Sequence, residues 1–589
     1  MIEELKGLYQ RFNRLYYKIT NKEPWYKYYG KNNKISYPDL TIYELIEKTA
    51  KTYPSYYAYE YYGKKVTYSE FIIKIKRTAS ALMELGVKEG DVVTICMPNT
   101  PVAIITFYAV NMIGAISSMV HPLSSKNEIE FYLNESKSKY ILTIDLVYDK
   151  VSQIVNKTDV EKIIVSSVSD DMSPTKYALY WFFSGRKNKI VKDEKAIFYK
   201  ELLNMATYDS EFSGIKRKKD DKAIILYSGG TTGSPKGIVL SNLNFNALAM
   251  QLQFAITTEL AKPGGSNLAI LPIFHGFGLG VSIHTGLYIG IKIVLVPDFS
   301  PRKFGSLLKK YNPNFLIGVP TLYEALLKTK LGKNDLSHLT CCVSGGDVMP
   351  PEFKRQIDKF LRDHGAKSEL RCGYGLTECS GACILNPKGK YRDNSVGIPL
   401  PDMAFKIVKI GTTREANIME DGEICVSGPT VMMGYLNNPE ETDKVKKRHK
   451  DGKIWLHTGD IGCMDQDGFV YYKQRLKRMI VSSGYNIYPS YMEEIICKNE
   501  YVDSCAVVAI PHPYKKQVPK AYIILKEGIK PTSQIKNNIK KYCEENFVRY
   551  SWPYEYEYRT ELPKTLVGKV AYKELEKESS NENNWWQKN

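Results

Sequence analysis

Between residues 40 and 375, short apolar runs alternate with longer stretches of helical periodicity. Eight of these runs are DVVTICMP, YILTID, EKIIVSS, KAIILYS, NLAILPI, IKIVLVP, FLIGVP and LTCCVSGG. Strand, helix and strand at this spacing are typical of parallel sheets covered on both faces by helices, so we predict an α/β fold of doubly wound sheets. Ligands of such sheets bind beyond the carboxyl ends of the strands, and the glycines that follow three predicted strands, Gly229, Gly345 and Gly373, mark the expected site.

The pattern changes twice towards the C-terminus. Residues 393–475 show strands and turns without long helices, as in GEICVSGP and DGFVYYKQR, and predict a β-rich subdomain. The remaining residues mix strand-like and helical runs, which predicts a small α+β domain. We therefore expect an N-terminal extension over 1–40, a large N-terminal domain over 41–475 with an insertion at about 168–219, and a C-terminal domain over 476–589.

One uncharged segment, residues 101–125, is long enough to span a lipid bilayer. Its sequence, PVAIITFYAVNMIGAISSMVHPLSS, is interrupted by Gly114 and contains the polar residues Asn111, Ser117 and Ser118. A strand-like run lies immediately before it. We therefore predict a buried helix followed by a buried strand, rather than a transmembrane helix.

The composition is that of a globular enzyme from a reducing compartment. The chain has 589 residues, of which 43% are hydrophobic and 25% are charged, and its length predicts two or more domains. Its eleven cysteines lack CxxC pairs and histidine partners, which argues against a disulfide framework or a zinc site. The first residues, MIEELKGLYQRF, carry acids where a signal peptide has basic and apolar segments, so we expect a cytoplasmic protein.

Positive charge is in excess, with 82 Lys and Arg residues against 64 Asp and Glu residues and a net charge of +18. Such an excess suits nucleic acid, an anionic membrane surface or polyanionic small substrates. Because the basic residues are spread along the chain without a basic and aromatic module, we expect no nucleic acid partner. Most of the lysines are expected on a solvated surface.

Aromatic and basic residues are concentrated in the insertion, in the run MSPTKYALYWFFSGRKNKIVK. One interpretation is a segment that lies on a membrane interface, with its basic residues towards anionic headgroups. The alternative is a helix packed on the parent domain with a solvated basic face. The sequence is thus compatible with peripheral contact with the inner face of a membrane, and also with a homodimer.

A glycine-rich loop, YSGGTTGSPKG, occupies residues 227–237 and combines four glycines with hydroxyl side chains and one lysine. Glycines let backbone amides approach a ligand, hydroxyl groups add donors and the lysine adds a charge, a combination that suits a polyphosphate. The lysine follows a proline, so the loop lacks the Gly-Lys-Ser/Thr pattern of a P-loop. After it, LSNLNFNALAMQLQFAI predicts a helix capped by Asn244 or Ser241. The alternative is a flexible surface turn.

Four further stretches carry candidate site residues. CGYGLTECSG offers an aromatic ring, a hydroxyl and a carboxylate at Tyr374, Thr377 and Glu378, which suit a base, a phosphate and a divalent cation. LHTGDIG places Asp460 in a glycine-flanked turn, where a carboxylate can accept hydrogen bonds from ribose hydroxyls. The last two stretches, RLKRMIVSSGYNIYP and LPKTLVGKV, contribute the basic residues Arg475, Lys477 and Lys569.

In order and content these five stretches resemble the adenylate-forming superfamily, and within it the branch of acyl-CoA synthetases that act on fatty acids. The resemblance covers residues 41–575. It implies an AMP-binding N-terminal domain, a C-terminal lid and a hinge near Lys477. It also implies ATP, Mg²⁺ and coenzyme A as ligands, and a reaction in two steps. A carboxylate first attacks the α-phosphate of ATP, and a thiol then captures the acyl-adenylate.

The resemblance also implies a set of nucleotide-binding residues. The implied phosphate cradle comprises Ser228, Gly229, Gly230, Thr231, Thr232, Gly233 and Lys236. Further implied contacts to the nucleotide are Gly345, Gly346, Asp347, Gly373, Tyr374 and Gly375, with Tyr374 packed on adenine. The remaining implied contacts are Asp460 and Arg475 at the ribose, Lys477 at the hinge, Gly484 at the pantetheine of coenzyme A, and Thr232 with Glu378 at Mg²⁺.

Catalytic roles are implied for Thr377 at the α-phosphate, for Glu378, for Lys569 and for His275 near the acyl carboxylate. Lys569 would bridge the carboxylate and the α-phosphate with a compact ammonium, which a moving lid can withdraw. His275 also fits a satisfied core histidine, because it lies among apolar residues. Cys379 follows Glu378 but has no base beside it in the sequence, so we do not expect a nucleophile there.

Three positions depart from the commonest pattern of the superfamily. Gly229 replaces a serine, a form associated with synthetases of fatty acids. Arg478 stands where an acid usually follows the hinge, which leaves the partner of the hinge open. Val481 replaces a lysine of some relatives, so the coenzyme A contacts at that position cannot be transferred.

The choice of carboxylic acid is indicated by residues 271–283, which contain no acidic side chain, whereas relatives that activate amino acids have an aspartate there. An uncharged tail is therefore favoured, in a pocket built from Phe274, Phe277, Gly278 and Val281. We predict a medium- or long-chain fatty acid. The alternatives are an aryl-CoA ligase, an acyl-carrier-protein ligase and, from another class, a non-catalytic membrane-associated nucleotide-binding protein.

Overall fold

The computed structural model describes residues 23–29, 34–180, 182, 194–207, 214–228, 235–256, 262–482, 485–512, 514–565 and 570–582. The chain divides into two compact units. The first unit contains the residues up to 405 together with 426–456 and 465–470, and the second contains 406–425, 457–464 and the residues from 471 onwards. The predicted domain boundaries, including those of the insertion, stay predictions.

The strands of the described residues are short and distributed along the whole chain. They are β1 Tyr57–Tyr61, β2 Lys64–Thr67, β3 Val92–Cys96, β4 Ile116–Met119, β5 Tyr140–Ile144, β6 Lys162–Ser166, β7 Ala196–Phe198, β8 Lys222–Ser228, β9 Lys236–Ser241, β10 Ser266–Ala269, β11 Lys292–Leu295, β12 Phe315–Gly318, β13 Cys341–Ser344, β14 Leu370–Tyr374, β15 Ile384–Leu385, β16 Ile398–Pro399, β17 Ala404–Val408, β18 Gly422–Ser427, β19 Gly434–Tyr435, β20 Lys446–Arg448, β21 Ile454–Met464, β22 Val470–Arg475, β23 Ile480–Ser482, β24 Tyr485–Ile487, β25 Val502–His512, β26 Lys516–Leu525 and β27 Glu555–Arg559.

The α-helices alternate with these strands through most of the chain. They are α1 Ile42–Thr52, α2 Tyr68–Glu84, α3 Pro101–Met112, α4 Lys126–Ser136, α5 Tyr148–Ser152, α6 Pro174–Tyr180, α7 Tyr199–Leu203, α8 Asn242–Ile256, α9 Thr285–Ile289, α10 Phe304–Tyr311, α11 Pro320–Leu327, α12 Pro351–Asp363, α13 Pro439–Val445, α14 Pro489–Ile496, α15 Ser533–Asn546 and α16 Tyr572–Glu582.

Two large sheets form the body of the first unit. One has nine strands in the order β16-β15-β14-β13-β12-β10-β11-β1-β2, and the other has eight in the order β19-β9-β8-β4-β3-β5-β6-β7. The central neighbours are parallel. In the nine-stranded sheet β15 and β16 pair antiparallel at one edge and β2 pairs antiparallel at the other, and in the eight-stranded sheet β9 and β19 pair antiparallel at one edge. The eight strands predicted from apolar runs are confirmed as β3, β5, β6, β8, β10, β11, β12 and β13.

Local sequence explains where several helices begin. Before α1, α2 and α4, a Thr or Ser side chain accepts from the N–H of a glutamate three residues later, and that glutamate accepts from the N–H of the Thr or Ser. At the start of α8, the Ser241 hydroxyl accepts from the Asn244 N–H at 3.2 Å, and the Asn244 side chain accepts from the Ser241 N–H at 2.8 Å. Both predicted capping residues therefore take part.

The uncharged segment that could have been taken for a membrane span is part of the core. All twelve residues of α3 are buried, and β4 follows as a strand of the eight-stranded sheet. This confirms the predicted buried helix and buried strand. Among the residues that the structure describes, no helix combines the length and the apolar character needed to cross a membrane.

A fully buried histidine lies in the first unit. His284 ends a π-helical segment over Phe277–His284, and its side chain has no exposure to solvent. Its Nδ1 lies 3.1 Å from the Tyr108 hydroxyl, and its Nε2 lies 3.2 Å from the side-chain oxygen of Asn246. Burial lowers the pKa of His284 from 6.5 to about 3, so the imidazole is neutral in the folded unit.

We expect the first unit to lose stability as the pH falls below about 6.5. The folded unit excludes a proton that His284 takes up in the unfolded chain, so each pH unit between 6.5 and the folded value of about 3 lowers the free energy of unfolding by about 1.4 kcal/mol. Thermal unfolding of wild type and His284→Gln, compared near pH 7.5 and near pH 5.5, measures this contribution. The variant should lose less stability on acidification, and an equal loss in both proteins would contradict the assignment.

The second unit contains most residues of four strands of one sheet and all strands of another. In the first sheet, β17, β18 and β21 are adjacent in that order and β22 pairs with β21. In the other, the order is β24-β23-β26-β25, with β27 parallel to β26. Helices α14 and α15 share a hydrophobic core with this second sheet, which includes Ile480, Ile496, Val507, Ile523 and Ile539. The predicted α/β class, with a large N-terminal and a small C-terminal domain, is confirmed.

Candidate functional site

The glycine-rich loop connects two antiparallel strands. β8 ends at Ser228 and β9 begins at Lys236, and these two residues lie opposite each other in the ladder. The helix predicted after the loop is confirmed as α8, and β9, which the sequence did not predict, lies between the loop and this helix because its residues pair with β8. The other predicted cradle residues, Gly229, Gly230, Thr231, Thr232 and Gly233, lie outside the described residues.

Lys236 is held by a carboxylate and an aromatic ring of the same unit. Its Nζ donates a short hydrogen bond to Glu441, which also pairs with Lys444. The centre of the Tyr435 ring lies 4.8 Å from Lys236 Nζ, a distance typical of a cation–π contact. The hydrogen bond from Lys236, followed by that from Lys444, lowers the pKa of Glu441 to about 2, so this carboxylate is ionised. These contacts fix the ammonium group beside the base of the glycine-rich loop.

Tyr435 connects this lysine to the second predicted motif. It lies in β19, which pairs with β9, and its hydroxyl donates to Glu378 Oε1 at 3.1 Å. The backbone oxygen of Glu378 accepts from the Met432 N–H at 2.8 Å. Both the side chain and the main chain of Glu378 are therefore fixed. The structure thus brings Lys236 and Glu378, from two separate predicted motifs, into contact with one tyrosine, Lys236 with its ring and Glu378 with its hydroxyl.

Glu378 has the chemistry expected of a magnesium ligand. Carboxylate oxygens are the protein ligands that Mg²⁺ prefers, and the ion commonly uses one or two carboxylates together with substrate phosphates and water. Glu378 is partly exposed and is oriented by Tyr435, so its carboxylate fits this role. Thr232, the other predicted metal ligand, lies outside the described residues.

The sequence reasoning missed Tyr435 and Glu441. A signal for this region exists in NNPEET, because Asn438 followed by Pro439 and two glutamates is typical of a helix N-terminus. The Asn438 side chain indeed accepts from the Glu441 N–H at 3.0 Å, and α13 begins at Pro439. That signal predicts the helix, but it does not predict the contact between Glu441 and a lysine 205 residues earlier.

The sequence resemblance implies MgATP as the ligand of Glu378, so replacing Tyr435 by phenylalanine is expected to raise the KM for MgATP about 3- to 10-fold. The reason is that a hydrogen bond to a charged group that is partly exposed is worth roughly 1 kcal/mol. The ring that contacts Lys236 is retained, so kcat should change less than KM. Steady-state kinetics at varied MgATP measure both. Tyr53→Phe, which removes a hydroxyl elsewhere in the same unit, serves as the matched control. Unchanged MgATP kinetics in Tyr435→Phe would contradict a role for this contact.

The ends of β13 and β14 meet at two glycines. A Cβ atom at Gly345, which follows β13 and is buried, would lie 3.3 Å from the backbone oxygen of Gly373 and 3.4 Å from the Phe277 ring. Gly346 adopts a φ of +82°, and Asp347 is exposed, with its carboxylate accepting from the next backbone N–H. Because Gly345 has no side chain, its backbone can lie close to that of Gly373, where β13 and β14 end.

Gly373 and Tyr374 lie within β14, which corrects the prediction that they follow a strand. The strand is longer than expected because β15 pairs antiparallel with both residues. At Gly375 a Cβ atom would lie 2.2 Å from the backbone oxygen of Gly381, so only glycine fits. Thr377 begins a short 3₁₀-helix that also contains Glu378. The predicted nucleotide-binding residues of this motif therefore form one continuous strand end and turn.

The imidazole of His275 and the thiol of Cys379 have different surroundings. His275 is exposed, which rules out the alternative of a satisfied core histidine at this position. Cys379 is fully buried, and burial raises the pKa of its thiol well above the usual range. A buried neutral thiol does not act as a nucleophile, in agreement with the expectation from sequence.

Two predicted ribose ligands form an ion pair in the second unit. Arg475 Nε lies 3.0 Å from Asp460 Oδ1, and the Arg475 side chain is 46% exposed while that of Asp460 is 1% exposed. The sequence predicted a turn at Asp460, but this residue lies within β21. The strand contains Gly459, which adopts a φ of +68°, and both β18 and β22 pair with β21. The buried carboxylate is thus held by an arginine that reaches solvent.

The stretch in which the sequence predicted a hinge follows this arginine. Lys477 is exposed in a 3₁₀ turn over Leu476–Arg478. Arg478, whose partner the sequence left open, donates to Glu493 Oε1 at 2.6 Å, and its guanidinium lies 3.6 Å from the centre of the Tyr572 ring. Arg478 is therefore anchored within its own unit. Gly484 and Lys569 lie outside the described residues. Lys564, in the same LPKTLVGKV stretch as Lys569, forms an isolated antiparallel β-bridge with Val570.

Family models match both parts of the chain. Residues 46–436 match the model described as AMP-binding enzyme, which is more than half of the chain. Residues 491–569 match the model described as AMP-binding enzyme C-terminal domain. The matched ranges include Lys236, Tyr374, Glu378 and Lys569.

Individual proteins are also similar. The chain is 33% identical over 571 residues to a long-chain-fatty-acid–CoA ligase of Bacillus subtilis, which covers 96% of this chain and 99% of the relative. It is 30% identical over 457 residues to a probable 4-coumarate–CoA ligase of Dictyostelium discoideum, with coverages of 77% and 80%. The crystal structure of ATP-bound MatB from Rhodopseudomonas palustris has a TM-score of 0.78 at 22% identity, over 92% of this chain and 99% of that one, which shows a shared fold.

Proposed function

Because the chain belongs to the family of AMP-binding enzymes, we propose that it is an ATP-dependent, AMP-forming acyl-CoA ligase for a medium- or long-chain fatty acid. The observation that carries the substrate class is the 33% identity to the Bacillus subtilis long-chain-fatty-acid–CoA ligase over nearly the whole of both chains. The match to the 4-coumarate–CoA ligase covers a smaller part of each chain.

In the proposed first step, the fatty acid carboxylate attacks the α-phosphorus of ATP, and pyrophosphate leaves. Two anions must come together, so the barrier is largely electrostatic. Lys236 supports this step, because Glu441 and Tyr435 hold its ammonium beside the glycine-rich loop. Glu378 would hold Mg²⁺, which supplies positive charge to the phosphates. Lys569 would supply the ammonium that bridges the carboxylate and the α-phosphate.

In the proposed second step, the thiol of coenzyme A attacks the acyl carbonyl carbon. The carbon–oxygen bond to AMP breaks, the thiol gives up its proton, and the thioester and AMP are the products. The ion pair of Asp460 and Arg475 supports a role at the ribose, because the buried carboxylate is oriented by the partly exposed guanidinium. Gly484 is proposed to admit the pantetheine arm.

The proposed acyl pocket lies near Phe277. Residues 271–283 contain no acidic side chain that would select an ammonium group, so an uncharged tail is favoured. The Phe277 ring lies against Gly345, and the Phe274 ring centre lies 4.1 Å from that of His121. A Cβ atom at Gly278 would lie 2.0 Å from the backbone oxygen of Pro272. Only glycine therefore fits at this position of the proposed pocket.

The proposal is tested by measuring pyrophosphate release from ATP and Mg²⁺ with a panel of acids, followed by mass spectrometry of the acyl product. Fatty acids of graded length, 4-coumarate and benzoate form the panel, and free coenzyme A is compared with an acyl-carrier protein. Fatty acyl-CoA as the main product is the expected result. A preference for the aryl acids, or transfer only to the carrier protein, would favour the corresponding alternative. No AMP with any acid would favour a non-catalytic protein.

Peripheral contact with an anionic membrane is a further part of the proposal, and the predicted homodimer stays a prediction. In the first unit Tyr177 of α6 is 40% exposed and Phe182 is 62% exposed. The ammonium of Lys200 lies 4.8 Å from the centre of the Tyr177 ring. Exposed aromatic rings beside a cation suit the interface of an anionic bilayer. The net charge of +18 favours the same surface.

Replacing Tyr177 and Phe182 together by serine is expected to weaken binding to vesicles that contain phosphatidylglycerol about fivefold or more, because aromatic rings and basic residues act together at such a surface. Co-sedimentation with these vesicles, and with vesicles of phosphatidylcholine alone, measures the effect. Ile73→Ser, which replaces another exposed apolar residue of the same unit, is the matched control. Equal binding by all three proteins would contradict the proposed surface.

A further inference from the structure

Two thiols of the second unit lie in contact. The Sγ atoms of Cys497 and Cys505 are 3.6 Å apart. Cys497 directly follows α14, and Cys505 lies in β25. A disulfide requires the sulfur atoms to approach to about 2.05 Å, which is a closure of about 1.5 Å. This closure lies within the reach of side-chain rotation at the helix end.

The two thiols differ in their access to solvent. All eleven cysteines of the chain lie in the part that the structure describes, and Cys497 is the one that is exposed. Cys505 is 8% exposed and belongs to the hydrophobic core of this unit. A reagent in solution therefore reaches the Cys497 thiol before it reaches the buried Cys505 thiol.

Hydrogen bonding gives the two thiols different chemical roles. Cys505 Sγ lies 3.5 Å from the backbone oxygen of Glu493, which also accepts from the Cys497 N–H at 3.0 Å. The hydrogen bond from Cys505 lowers the pKa of the Cys497 thiol, and the same contact raises the pKa of the Cys505 thiol. The thiolate is the reactive form of cysteine, so the accessible thiol is also the more reactive one.

We propose that Cys497 and Cys505 form a reversible intramolecular disulfide when the protein meets hydrogen peroxide. The Cys497 thiol releases its proton, and the thiolate attacks peroxide and becomes a sulfenic acid; hydroxide leaves and takes up the released proton as water. The Cys505 sulfur then attacks the Cys497 sulfur, and its proton leaves with the hydroxyl group as water. Peroxide is reduced, the two thiols are oxidised, and two waters are formed. A disulfide in a reducing compartment is most often of this transient, redox-sensing kind.

The disulfide would form next to the anchor of the hinge stretch. The Glu493 backbone oxygen contacts the thiol pair, while the Glu493 carboxylate accepts from Arg478 at 2.6 Å and from the Val507 N–H at 2.7 Å. Oxidation removes the hydrogens of both thiols and so changes the contact between Cys505 Sγ and this carbonyl. The redox state of the pair is thus coupled to the residue that anchors Arg478. This inference does not depend on the proposed enzymatic function.

The test uses the full-length protein, reduced, freed of reductant and exposed to graded hydrogen peroxide before alkylation and peptide mass spectrometry. We expect a cross-link between Cys497 and Cys505 with a mass loss of about 2 Da, reversed by dithiothreitol. In Cys505→Ser, Cys497 should instead progress to sulfinic acid. In Cys543→Ser, which removes another thiol of the same core, the cross-link should persist. The buried Cys379 and Cys383 should stay reduced throughout.

Two results would overturn the proposal. One is progression of Cys497 to sulfinic acid in the wild type while Cys505 remains open to alkylation after unfolding. The other is a reduced Cys497–Cys505 pair in the wild type at a peroxide dose that oxidises Cys497 in Cys505→Ser. Both results would show that the two thiols do not react with each other.

Discussion

Replacing Lys569 by methionine is expected to slow formation of the acyl-adenylate about 100- to 1,000-fold, because one preorganised charge at a developing anion is typically worth this much. Methionine keeps the length of the side chain and removes the ammonium. Pyrophosphate release in the presence of hydroxylamine, without coenzyme A, measures this half-reaction. Thioester formation from chemically prepared acyl-adenylate measures the other one and should change less than about twofold, because the proposed role of Lys569 ends with the first step.

Two further variants complete this experiment. Lys564→Met removes an exposed lysine of the same stretch, and both half-reactions should stay at the wild-type rate. Gly484→Trp should give the opposite pattern to Lys569→Met, with adenylate formation preserved and thioester formation lost. Equal losses of both half-reactions in Lys569→Met and Gly484→Trp would contradict separate roles for these residues.

Glu378→Gln is expected to lower kcat/KM for MgATP roughly 100-fold or more, because even residues that only support a metal ligand cost 10- to 100-fold when they are replaced. The amide keeps the shape of the side chain and an acceptor for Tyr435, so the loss reports the missing negative charge. The concentration of Mg²⁺ that gives half-maximal activity should rise as well. Initial rates over a matrix of Mg²⁺ and ATP concentrations separate these effects.

Glu352→Gln is the matched control for this variant, because Glu352 is an exposed glutamate of the same unit that pairs with Arg355. Its kinetics should equal those of the wild type. An unchanged requirement for Mg²⁺ in Glu378→Gln would remove Glu378 from the proposed metal site, while leaving the contact with Tyr435 intact.

The sequence predicted the core strands of the first unit because their signal is local. A strand buried on both faces is a short run of apolar residues, as in KAIILYS and LTCCVSGG, and both runs became strands. The same sequence did not predict β9, β15 or β19. These strands are short or contain glycine, and they exist because a neighbouring strand pairs with them. β9 and β15 pair with the strands directly before them, whereas the partner of β19 lies almost 200 residues earlier in the chain and leaves no local pattern.

The candidate site shows the same division. Sequence motifs identify Lys236, Glu378 and Asp460 as candidate site residues. No motif identifies Tyr435, which contacts both Lys236 and Glu378. Tyr435 lies 57 residues after Glu378, and the fold alone brings them together. Asp460 was expected in a turn, since glycine precedes it. It lies instead within β21, and this strand also contains Gly459 with its positive φ.

The central claim is that a fatty acid carboxylate becomes bonded to the α-phosphate of ATP. The most direct measurement uses palmitate labelled with ¹⁸O in both carboxylate oxygens, together with ATP, Mg²⁺ and coenzyme A, followed by mass spectrometry of the products. The account predicts that AMP carries one ¹⁸O and that pyrophosphate carries none, since thiolysis breaks the bond between the acyl carbon and that oxygen. Unlabelled AMP, or label in pyrophosphate or phosphate, would contradict it.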